Sequence, residues 1–183
     1  MRALVVLGVG LAVAVVGCAE QRSGGAPGRP SQGLLSAIGT AQALQHESDE
    51  LEARGELPGA IAAARRILDV PFPPDAAERE DVRLDAYGRI AELELAREDT
   101  AAAEAQADAG LRESTRDSYF RARLHVVLGR VHQSRAAHLR DTGDATGART
   151  ESEAAIDELE RSIAINRVVL GLTAAPDAPG GTP

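Results

Sequence analysis

His125, His132 and His138 are three of the four histidines in this 183-residue chain, and all stand in one predicted helix. Imidazoles bind a divalent cation when ligands converge from i, i+4 positions or from facing helices. His125 and His132 are seven residues apart. They therefore share a helix side but stand roughly 10 Å from each other, too far to share one ion. No HExxH pattern accompanies them, so they read as solvated or helix-flanking. Serine and carboxylates are plentiful, but no G-x-S-x-G turn presents a nucleophile. Gly8-Val9-Gly10 lies inside an apolar run and is no phosphate loop. The expectation is a protein that is not an enzyme and needs no metal or cofactor.

Charge is more informative. Residues 112–140 contain seven arginines against Glu113 and Asp117, whereas residues 75–99 contain nine acids against four arginines. Arg116, Arg123 and Arg130 recur every seven residues, which places them along one flank of a helix. With Tyr119 they form the candidate partner-binding set. Two readings fit the strip. It docks an acidic partner or an anionic headgroup, or it faces the acidic helix beside it in surface ion pairs worth at most about 1 kcal/mol each. Asn166, on the apolar face of the last predicted helix, reads as a partly exposed edge.

The elements that position these residues follow from composition and periodicity. The chain is 44% hydrophobic, which fits one globular domain, but 2% aromatic with no Trp. Its core must be built from Ala, Leu, Ile and Val. The net charge of −8 disfavours a nucleic-acid binder. All basic residues are Arg, a usage that reads as coding bias in so Ala- and Gly-rich a chain.

Met1-Arg2 precedes an unbroken apolar and glycine run, Ala3 to Val16. This is shorter than the roughly 20 residues of a membrane span and fits a secretory signal peptide. The run ends Val15-Val16-Gly17-Cys18, with Cys18 the one cysteine in the chain. That ending resembles the bacterial lipoprotein signal. The resemblance implies removal of residues 1–17 and acylation of Cys18, and two or three acyl chains anchor stably where one is marginal. Ala19, where aspartate retains related proteins in the inner membrane, implies the periplasmic face of the outer membrane rather than the inner. Residues 18–31 are rich in Gly, Pro and Ser and read as a flexible tether reaching roughly 20 Å. Residues 173–183 read as a disordered tail.

Between them, residues 32–172 predict an all-α domain of about six helices. The first runs from about Ser31 to Arg54, with Leu34, Ala37, Ile38, Ala41, Leu44 and Leu51 on one face. Gly55 ends it and Pro58 opens the next, where Ala60, Ala64, Ile67 and Leu68 share a face. Pro71, Pro73 and Pro74 stop that helix. Asp75 and Glu78 predict a capping box for the third. Val82, Ala86, Ile90 and Leu93 form one stripe there and Leu84, Tyr87, Ala91 and Leu95 a second, as expected of a helix packed from two sides. Residues 97–100 and 141–144 predict turns. Phe120, Leu124, Val127 and Val131 face inward on the fifth helix. Ala148, Ala155, Leu159, Ile163 and Leu170 do so on the sixth, which is expected to span residues 145–172.

Ala60, Ala103 and Ala148, spaced 43 and 45 residues apart, bring three hairpins into register. Ala60-x3-Ala64, Tyr87-x2-Ile90-Ala91 and Ala103-x3-Ala107 resemble the tetratricopeptide repeat, whose unit is about 34 residues. The sequence departs from that pattern in its longer period and in Glu94, which stands at an aromatic position. The resemblance implies antiparallel hairpins stacked as a short superhelix that passively holds a helix or extended segment of another envelope protein. Lipoproteins of this build serve in outer-membrane assembly, pilus biogenesis and secretion. The other reading is a self-associating helical bundle without a peptide groove. It would self-associate through the apolar surface that Ile165, Val168, Val169 and Leu172 add to the last helix.

Overall fold

In the computed structural model, which describes residues 30–172, six helices form three consecutive hairpins. They are α1 (Gln32–Ala53), α2 (Leu57–Leu68), α3 (Glu78–Ala96), α4 (Thr100–Glu113), α5 (Tyr119–Asp141) and α6 (Ala145–Val169). No strand occurs among the described residues, and no helix among them is long and apolar enough to cross a membrane. The expected signal peptide (1–17), Cys18, nearly all of the tether and the tail (173–183) lie outside the described residues.

One turn is used three times. After α1, α3 and α5 the chain passes through a left-handed residue, Gly55 (φ 77), Glu98 (φ 63) and Gly143 (φ 86). The next amide then reaches back over the helix end. Glu56 donates to the Leu51 carbonyl at 2.9 Å, Asp99 to Glu94 at 3.0 Å and Asp144 to Leu139 at 2.8 Å, satisfying carbonyls that a helix end otherwise leaves without partners. Asp99 and Asp144 also start the following helix, their carboxylates accepting from the Ala102 and Gly147 amides. In the first copy Pro58 stands in the first turn of α2 instead. These turns carry the spacing read from the alanines, and Ala60, Ala103 and Ala148 are all buried.

The core follows from that register. α3 is apolar on two sides, as expected, and serves two neighbourhoods. Leu84 and Ala91 pack with Ala107, Leu124, Val127 and Leu128, while Ile90 and Leu93 pack with Ala60, Ile61 and Ala64. With few aromatics, close approach replaces bulk. A Cβ on Gly110 would lie 2.7 Å from Leu124 Cδ1 and 2.9 Å from Tyr87 Cβ, so only glycine fits where α4 crosses them.

Two expectations fail. Asp75 and Glu78 form no capping box, because α3 starts at Glu78 behind Ala77, which makes no side-chain cap. The prolines set a turn in which the Ala76 amide donates to the Pro73 carbonyl at 3.1 Å, and Asp75 falls too early to cap. On α6, Ile163 and Leu170 are exposed, and the helix ends at Val169. Its buried residues are Ala148, Ala155, Glu158 and Ser162. Among the described residues the only extensive contact of α6 is with α5, so its broad apolar surface exceeds what one neighbour covers.

Candidate functional site

The first helices of the three hairpins, α1, α3 and α5, lie side by side and are stitched by arginine. Arg89 of α3 reaches Asp49 at 2.8 Å and Glu52 at 2.6 Å on α1. Arg123 of α5 reaches Asp85 and, at 2.6 Å, Glu92 on α3. Burial pushes the Asp85 carboxyl above its ordinary range, with the Arg123 charge pulling against it.

Between these helices Ile38, Ala41, Val82, Ala86 and Phe120, floored by Ile67 of α2, wall an apolar hollow of about 330 Å³. Gln42, Gln45, Glu78, Asp81 and Asp85 complete its lining. Phe120 is held there by the start of α5, where the Ser118 hydroxyl accepts from the Arg121 amide at 3.1 Å. Tyr119 stands edge-on to Phe120 at 5.8 Å between centroids and is 64% exposed. An apolar wall with acidic and amide groups completing the lining suits an apolar side chain flanked by basic or polar neighbours.

The arginine strip is divided between roles. Arg116 sits on Glu80 (2.9 Å) and Asp81 (2.5 Å), and the Ser114 hydroxyl donates to Glu80 at 2.7 Å. That hydroxyl first, and Arg116 next, hold the Glu80 carboxyl below the usual range. Arg116 and Arg123 thus face the acidic helix α3, one of the two arrangements their spacing allowed. Arg130 is exposed, has no carboxylate partner among the described residues, and borders a polar depression with Arg89, Glu92 and Ser134. Asn166 is half-buried.

Two histidines differ from the solvated reading. His125 is buried, its Nδ1 2.7 Å from Glu158 Oε2, and His132 Nδ1 stands 2.7 Å from Glu151 Oε2. His138 is exposed. Seven forward on α5 matches seven back on α6, so the two pairs fix the antiparallel register of this hairpin. The spacing of the histidines against Glu151 and Glu158 carried that signal, but only once the two helices were known to face each other. Between the pairs Gly129 lets α6 approach, its missing Cβ leaving room for Leu159 at 3.1 Å. No group of three or more His, Cys, Asp or Glu among the described residues is arranged to hold a metal.

Glu94 was legible as an oddity and not as a structural residue. It is buried and bridges Arg65 at 3.1 Å and Arg97 at 3.0 Å, joining α2 to the end of α3. Cys18 lies outside the described residues. No protein-family model matches the chain, and no curated protein or solved structure is significantly similar to it.

Proposed function

We propose that the chain is a bacterial lipoprotein whose tetratricopeptide-like stack holds a helix or extended segment of another envelope protein against the α1, α3 and α5 face. The observation that carries this reading is the apolar hollow between Ile38, Val82, Ala86 and Phe120, shaped by three successive hairpins, with exposed Tyr119 edge-on to Phe120. The action is passive binding, with no catalytic step and no cofactor. Ion pairs already occupy Arg116 and Arg123, so recognition rests on the hollow, on Tyr119 and on Arg130. Few aromatic anchors means modest affinity. Anchoring through acylated Cys18 to the periplasmic face of the outer membrane offsets that by concentrating the domain at the surface.

Photo-crosslinking in the native envelope tests the binding face. A reactive residue at Ile38 gives a discrete adduct with a partner, and one at exposed Ala105 on α4 gives none. Equal labelling at both positions defeats the reading. Fatty-acid labelling of the wild type, lost on Cys18→Ala, tests the anchor independently.

A further inference from the structure

The last helix carries a seam that no element of the described chain covers. Ile156, Ile163 and Leu170 are spaced by seven and are 56%, 53% and 69% exposed. Between them, at alternating steps of four and three, stand exposed Glu160 and Arg167. The order Ile156, Glu160, Ile163, Arg167, Leu170 is the three-and-four spacing of a helix-pairing seam, half apolar and half charged. Glu160 and Arg167 cannot neutralise each other, since seven residues separate them by roughly 10 Å along the axis. Neither has an ion-pair partner among the described residues, whereas Arg149 and Arg161 of the same helix bond Glu153 and Glu158.

We infer that the partner of this seam is a second copy of the chain, its α6 antiparallel to the first. With the two-fold axis passing between Ile163 and Ala164, Glu160 of each copy meets Arg167 of the other. Ile163 packs at the centre, and each Ile156 lies beside the partner's Leu170. The charges are self-complementary only in this antiparallel sense, because a parallel pairing in register sets Glu160 against Glu160 and Arg167 against Arg167. Ala164 at the axis allows close approach. Three apolar layers, two on α6 and one at its C-cap Leu170, form a small interface, near the low end for stable complexes, so the dimer is of micromolar strength. The seam shares no residue with the hollow on α1, α3 and α5, and the dimer stands or falls apart from the binding reading.

Charge reversal in the full-length chain tests the pairing, and both positions are exposed, so folding is spared. In Glu160→Arg both sites carry arginine, and in Arg167→Glu both carry glutamate. Each variant alone is expected to self-associate about tenfold more weakly than wild type in sedimentation equilibrium. An equimolar mixture of the two, in which both cross-pairs are again opposite in sign, recovers the wild-type constant. A wild-type chain that stays monomeric across the concentration range overturns the inference. That is the outcome if the chain's own N-terminal apolar run, or a different protein, covers α6. Single variants that dimerise as well as wild type, or a mixture no stronger than its components, also overturn it.

Discussion

Glu98 holds a left-handed backbone, φ 63, at the point where its two counterparts are Gly55 and Gly143. A side chain there sets Cβ against the following carbonyl, at a cost of roughly 1–2 kcal/mol that glycine avoids. Glu98→Gly is therefore expected to stabilise the domain by about 0.5–1 kcal/mol, after allowing for glycine's freer unfolded chain. A lower midpoint in urea for the variant would show that the turn gains more from Glu98 than the strain costs. Ser48 is a second local misfit. Its hydroxyl is buried on α1 and has no hydrogen-bond partner among the described residues, so the desolvation of that group goes uncompensated. Ser48→Ala should raise stability by about 1 kcal/mol, seen as a Tm increase of about 2–4 °C for a domain of this size.

At the scale of elements, arginine bonds tie adjacent helices whose alanine surfaces offer little shape to distinguish one register from another. Arg66 joins α2 to Glu47 of α1, Arg83 joins α3 to Glu113 of α4, and Arg135 joins α5 to Glu104 of α4. The Arg135 hydrogen bonds hold the Glu104 carboxyl below the usual range, as Ser114 and Arg116 do for Glu80. A depressed folded pKa means that the unfolded chain takes up the proton first as pH falls. The stability these carboxylates contribute is thus present above the ordinary glutamate range and is lost as pH drops through their lower folded values. Asp85, raised by burial, runs the other way and offsets part of the loss. Urea midpoints at pH 7 and at about pH 3 should differ less for Glu104→Gln than for wild type. An unchanged difference would remove the Arg135 pair from the acid response.

For the whole molecule, a stack of hairpins in which each packs on its neighbours distributes stability by position. Among the described residues α3 packs extensively on α2, α4 and α5, and α5 on α3, α4 and α6, while α6 has α5 alone as an extensive partner. Amide hydrogen exchange should be slowest in α3 and α5 and fastest in α6 beyond Ser162, where the side chains turn outward. Uniform protection across all six helices would mean that the domain opens only as one cooperative block. Beyond Ser162, protection that rises with protein concentration would instead mark the dimer seam.

Sequence alone carried much of what is local. The glycine that ends α1, the turns at 97–100 and 141–144 and the alanine register at 60, 103 and 148 act over a few residues, whereas the caps came from Asp99 and Asp144 and not from the expected Asp75. It also carried the two-sided character of α3, because periodicity records how many faces of a helix are apolar. Tertiary structure decided what depends on which faces meet. His125 and His132 became buried partners of Glu158 and Glu151 only when α6 folded back along α5. Arg116 and Arg123 turned toward α3 because carboxylates wait there at bonding distance. Ile163 and Leu170, apolar and in phase with the inner stripe, were left outside because one neighbouring helix covers only part of α6. Periodicity states that a face is apolar, but only an opposing surface determines whether it is buried.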